Sequence, residues 1–252
     1  MLKFFRKIRF DLMENKINGK YLKYAIGEIA LVVIGILIAL QINNWNQNQQ
    51  RAEVEISTLI ALDSEFKINK STLLTYLDGI KEMRLYADSL RGEIGPEMTN
   101  LSIKKVNNFL GFIGATRKFN SSIDVLKDTQ ASGRLNLISN EKIRRDISKW
   151  SSSLRELEGE ENDWALEFSN QFIPFANKWI QWDDVDYLFN ENDPRYFQSK
   201  FNVDPRLILQ DPEFSNITSI QYWRIVRVQK RTDSLLQHTD NLLGIIEQEL
   251  NK

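Results

Sequence analysis

Apolar residues run without a break from 29 to 40, and mostly apolar neighbours extend the stretch to residues 24–42. A helix over 24–42 rises 1.5 Å per residue and is about 28 Å long, close to the hydrocarbon thickness of a bilayer. Tyr21, Lys23 and Tyr24 before it and Trp45 after it put amphipathic side chains where a headgroup layer would lie. The pattern predicts a transmembrane helix. Beyond it, apolar positions recur every three or four residues, the period of a helix with one buried stripe. Ile56, Leu59, Phe66, Leu73, Leu77, Ile80, Ala87 and Leu90 extend the helix out of the span from Asn43 to a stop near Gly92. Residues 93–100, with Gly95-Pro96, read as a loop. A shorter helix is expected from Ser102 to about Ala115, burying Ile103, Val106, Phe109, Leu110 and Ile113. Ser121 or Ser122 is expected to cap a further helix through Gln130, which Ser132-Gly133 ends.

Two later stretches hold a stricter rhythm. Ile143, Ile147, Trp150, Leu154, Leu157, Glu161, Trp164 and Phe168 alternate steps of four and three, with Asn140 as N-cap. Ile225, Val228, Thr232, Leu235, Thr239, Leu242 and Ile246 do the same in a last helix over 213–250, capped by Asp211. Such seams belong to helices packed lengthwise on one another. The expected fold is all-α: an N-terminal transmembrane helix followed by an elongated antiparallel helical bundle over residues 43–252. Residues 177–212 are the least regular. Their aromatic residues, Trp179, Trp182, Tyr187 and Tyr196 among them, could form a partner loop, although the favoured reading packs them down over the bundle.

Charge supplies the topology. Lys3, Arg6, Lys7, Arg9, Lys16, Lys20 and Lys23 face only Asp11 and Glu14, a net +5 ahead of the span. After it come Asn43, Asn44, Asn46, Gln47, Asn48, Gln49 and Gln50 before the first charge, Arg51. The positive-inside rule then keeps residues 1–23 cytoplasmic and exports residues 43–252. Phe5, Ile8 and Leu12 share a helical face, so the segment ahead of the span could also lie on anionic membrane lipid. A cleaved signal peptide competes with this reading, but the apolar core runs into Gln41-Ile42-Asn43-Asn44-Trp45 with no small-residue cleavage site. An uncut signal anchor is therefore expected. With a whole-chain charge of −1, the exported part carries about −6, unlike the basic face of a nucleic-acid binder. The chain has no cysteine, which excludes disulfides and thiolate metal sites.

Within the span, Gly27, Leu31, Gly35 and Ala39 recur at four-residue intervals, and Gly35 and Ala39 form a small-x-x-x-small pair that lets helix backbones approach. Glu28 is an intramembrane carboxylate and so a candidate proton carrier. It also lies near the cytoplasmic end, where it could snorkel or pair with Lys23 of a neighbouring chain. The residues Phe4-Phe5-Arg6-Lys7-Ile8-Arg9, Lys20 to Ile29 and Leu31 to Asn46 resemble the anchor of a family of uncharacterised single-pass proteins of Bacteroidota. Ser132-Gly133-Arg134-Leu135-Asn136-Leu137-Ile138 is similar to that family's later turn. The resemblance implies an inner-membrane protein of a Gram-negative cell with a helical periplasmic domain, and it carries no activity.

Catalytic motifs are missing. No Gly-rich phosphate loop, nucleophile elbow or His-based zinc spacing occurs, and no cofactor is expected. The single histidine, His238, lies beside Leu235 and Leu242 and reads as an edge residue of the bundle. Glu158, Glu160 and Glu161 form an acidic knot that could hold a cation but reads as a solvated face. The expected function is a membrane-anchored interaction or scaffold protein, self-associating through the span and open to an envelope protein partner. A transport or proton-driven subunit using Glu28, and a sensor acting through a partner, are the alternatives.

Overall fold

The computed structural model describes residues 18–252, with side chains from 23 onward. All of the expected basic amphipathic segment over 1–23 except Lys23, the ring of Tyr21 included, lies outside those side chains. Every regular element among the described residues is helical. Helix α1 runs Asn18–Arg91, α2 Ile103–Ile113, α3 Asp124–Ala131, α4 Glu141–Glu167, α5 Ile173–Ala176, α6 Trp182–Phe189 and α7 Pro212–Leu250. Short 3-10 turns occupy Arg134–Leu137 and Pro205–Gln210, and a π-helical stretch, Phe168–Phe172, joins α4 to α5.

Two compact units divide the chain, Met1–Ile56 and Ser57–Lys252. In the first, the apolar part of α1 has a mean hydropathy of 2.5 over its best window, and none of that window is buried. It is long and apolar enough to cross a membrane, and its length and composition suit single-pass anchoring. In the second unit one continuous core joins α1 to α7. Leu62, Phe66, Leu73 and Ile80 of α1 meet Ile147, Trp150 and Leu157 of α4 and Val228, Leu235 and Leu242 of α7, all essentially without solvent contact.

Helices α4 and α7 run antiparallel. Trp164 bonds to Gln221, Ser153 to His238 and Asn140 to Glu249, so rising numbers on one helix meet falling numbers on the other. Both 4-and-3 seams are buried as their spacing predicts, including the threonines. Thr232 and Thr239 tolerate this because each hydroxyl donates to the carbonyl one turn back, Val228 O and Leu235 O, at 2.8 Å. Asn140 accepts from Lys142 N and Asp211 from Glu213 N, so both predicted caps are made. Gly133, at φ 74°, supplies the left-handed residue between α3 and the 3-10 turn after it.

Three local expectations need correction. Ile103 is exposed rather than buried. Neither Ser121 nor Ser122 caps α3: the helix starts later, its N-cap Ile123 has no capping side chain, and Glu65 of α1 takes that task. Within the irregular region 177–212 the chain forms one short helix, α6, and a 3-10 turn. Glu161 does not belong to a solvated face, since it is 3 % exposed.

Candidate functional site

Inside the apolar span the sequence-predicted contact residues sit free of other protein groups. A Cβ added at Gly27 or Gly35 would meet nothing within 4 Å, and Leu31, Glu28 and Ala39 are exposed. Tyr24 and Trp45 are exposed as well, one at each end of the apolar run. This surface suits lipid tails or another helix, and only small residues allow a close backbone approach.

A second constellation lies inside the Ser57–Lys252 unit, and composition alone gave no hint of it. Glu65, Asn69 and Tyr76 lie on the buried side of α1. Each holds a part of the link between α2 and α3 or the first turn of α3. The Glu65 carboxylate accepts from Val125 N at 2.8 Å and Leu126 N at 2.9 Å, satisfying two of the orphan N–H groups at the start of α3. Asn69 pairs reciprocally with the Ser122 backbone, donating to its carbonyl at 2.7 Å and accepting from its N–H at 2.8 Å. Tyr76 donates its hydroxyl to Glu161 Oε1 at 2.6 Å, and the same oxygen accepts from Phe119 N at 2.9 Å. A buried backbone segment thus borrows its hydrogen-bond partners from two helices.

The second oxygen of Glu161, Oε2, is buried without a partner. Burial is the main reason its carboxyl titrates above the usual range, and Glu158 adds to the rise; Tyr76, Phe119 N and Lys118 pull it back. The Tyr76 hydroxyl is pushed up as well, first by burial and then by its bond to Glu161. An unpartnered carboxylate oxygen at this depth penalises the charged form.

The acids flanking Glu161 behave differently. Glu160 and Glu167 are held by Arg224 of α7, at 3.4 Å and 2.9 Å, and Asp163 stands 3.6 Å from the same guanidinium. The hydrogen bond from Arg224 holds the Glu167 carboxyl below the usual range. Among the described residues, no group of three or more His, Cys, Asp or Glu side chains is placed to hold a metal ion. His238 is half-buried, with Nδ1 2.8 Å from Ser153 Oγ. It borders a groove of about 560 Å³ between α4 and α7, lined also by Lys142, Lys149, Asn241 and Gln248.

The aromatic region splits in two. Trp179 and Trp182 pack against the core, and Trp182 donates its indole N–H to Asn177 Oδ1 at 2.7 Å. Tyr187 is half-buried. Gly111 explains how closely α6 rides on α2: a Cβ there would collide with the Phe189 ring and come within 2.8 Å of Val185 Cγ1. Tyr196 stays outside this packing, and Phe197 and Phe201 are more exposed still.

Residues 28–122 match the model of a family of unknown function, DUF6090. The matched stretch takes in Glu28, Gly35 and Ala39 of the span and the Glu65, Asn69 and Tyr76 face of α1, and it ends at Ser122, the partner of Asn69. No curated protein and no solved structure matches the chain.

Proposed function

We propose that the chain is a single-pass, membrane-anchored scaffold whose exported helical part serves protein–protein interaction and whose span associates with a second copy of itself. The observation that carries this reading is the contrast between the two units. The Ser57–Lys252 unit closes a core around its apolar stripes, whereas the apolar run of α1 has none of its best window buried. Gly27 and Gly35 leave that helix open to close approach, because a side chain at either position would touch nothing. In this reading residues 1–23 face the cytoplasm, residues 24–42 cross the inner membrane, and the rest forms an elongated antiparallel bundle on the periplasmic side.

The test uses the cysteine-free background of the natural chain. Gly35→Cys in the full-length protein, oxidised in native membranes, is expected to give a disulfide-linked dimer, and native gels of the unmodified chain a matching oligomer. Monomers in both experiments would remove self-association. Protease added to spheroplasts is expected to trim everything after Trp45, and protection of that part would reverse the topology.

A further inference from the structure

The outer face of α4 and α7 carries apolar residues that the core does not use. Leu166 on α4 is 61 % exposed, and Ile220 and Trp223 on α7 are 41 % and 57 % exposed. The three lie at one level, which the Trp164–Gln221 bond and the Glu167–Arg224 pair fix. Single exposed apolar residues need no explanation, but three at one level, a tryptophan among them, make a candidate contact surface.

The charges around this group point to its occupant. On the α4 side Asp163 keeps 63 % of its side chain exposed despite lying 3.6 Å from Arg224. On the α7 side Arg227 and Lys230 are exposed and make no salt bridge among the described residues. Arg227 lies near enough to lower the Glu167 carboxyl, so it stands on the α7 flank of the same seam that Asp163 borders from α4. Across that seam the α4 flank is acidic and the α7 flank basic. A surface of that kind complements itself when turned about a two-fold axis running along the helices, because α4 of one copy then faces α7 of the other.

We propose that Leu166, Ile220 and Trp223 form the apolar part of a two-fold contact between copies of this chain, with Asp163 of each copy paired to Arg227 of the other. This rests on the self-association proposed above and gives it a second contact, outside the span. Each charged pair occurs twice, with the apolar residues lying beside it.

The experiment uses full-length protein in native membranes. Differently tagged copies carrying Asp163→Cys and Arg227→Cys are produced together and oxidised. The expected product is a disulfide between the two tags, with far less product between two Asp163→Cys copies. In an Ile220→Cys background, Trp223→Ala is expected to lower the crosslinked fraction about thirtyfold, the size of one hot-spot loss. Arg227→Glu lowers it too, and Arg227→Glu combined with Asp163→Lys restores it. Far-UV circular dichroism of the purified variants checks that helix content is kept. If Gly35→Cys still crosslinks while the 163–227 pair does not, this surface is wrong and the association through the span stands. If neither crosslinks, both fail. Loss with Arg227→Glu that the reversed pair does not repair, at full helix content, assigns the face to a different partner and overturns the two-fold contact.

Discussion

Tyr76 gives its phenolic hydrogen to Glu161 across 2.6 Å, tying α1 to α4 through a carboxyl group whose other oxygen has no partner. The pair stands 85 positions apart in sequence and closes over the Phe119 amide. Two helices and a connecting segment therefore meet at one oxygen atom. Its protonation state sets how much the contact contributes.

Because burial raises the Glu161 carboxyl above its ordinary range, folding favours the protonated acid. The stability it contributes is complete below the usual glutamate range and is lost as pH rises through the folded-state value. Urea unfolding of the detergent-solubilised chain should show this as a fall in midpoint from about pH 5 to pH 8 that Glu161→Gln removes. Tyr76→Phe should cost roughly 1.5–3 kcal/mol, with the larger loss once pH has risen through the folded-state value and the acceptor is ionised. Parallel pH curves for wild type and Glu161→Gln would assign the dependence elsewhere.

Arg224 predicts the opposite slope. Its hydrogen bond holds the Glu167 carboxyl below the usual range, so this contribution is present above the ordinary glutamate value and disappears as pH falls through the lowered one. Arg224→Met should cost about 1–2 kcal/mol near neutral pH, because Glu160, Asp163 and Glu167 then repel one another on a half-covered surface. The deficit should shrink towards pH 4 as those acids take up protons. A deficit independent of pH would reduce the role of Arg224 to packing.

Glu65→Ala should loosen α3 in particular. The substitution leaves Val125 N and Leu126 N without acceptors at the start of an eight-residue helix, at a cost of roughly 1–2 kcal/mol. Hydrogen exchange should speed up over residues 123–131 and stay slow along α7. Faster exchange along both would show that α3 and the seams open as one.

Gly111 and Gly35 should respond oppositely to the same methyl group. At Gly111 it would strike Phe189 and Val185, so Gly111→Ala should destabilise the Ser57–Lys252 unit by about 1–3 kcal/mol. At Gly35 it meets nothing in the same chain, and Gly35→Ala should leave the unfolding midpoint unchanged while Gly35→Leu weakens self-association. A drop in midpoint for Gly35→Ala would reveal an intrachain contact at that position.

Legibility in the sequence divides along physical lines. The seams of α4 and α7, the caps Asn140 and Asp211 and the break at Gly133 depend on neighbours within a few residues, so their spacing exposed them. Glu161 is more instructive. Its place in the 4-and-3 repeat already pointed inward, but the cluster with Glu158 and Glu160 suggested a wet face, and the repeat was the better guide. Tyr76 and the Phe119 amide, which make its burial tolerable, come from elements far away in sequence and leave no local pattern. The cap of α3 escaped for the same reason: Glu65 reaches it from 60 residues upstream, leaving the nearby serines unused. Leu166, Ile220 and Trp223 were invisible as a group, since only the pairing of α4 with α7 brings them to one level.

The π-helical stretch at Phe168–Phe172 owes its width to the proline just beyond it. Ile173 N donates to Phe168 O, one residue wider than an α-helical turn, ahead of Pro174, whose ring would strike the carbonyl of Asn170 in a regular helix. The added residue turns the chain so that Phe172 and Phe175 both reach Phe214, at ring separations of 6.5 and 6.0 Å. Removing Ser169 would shorten the wide turn and swing Phe175, Ala176 and Ile180 about 100° around the axis, carrying an aromatic plug out of the interior and leaving the first turns of the final helix without a floor.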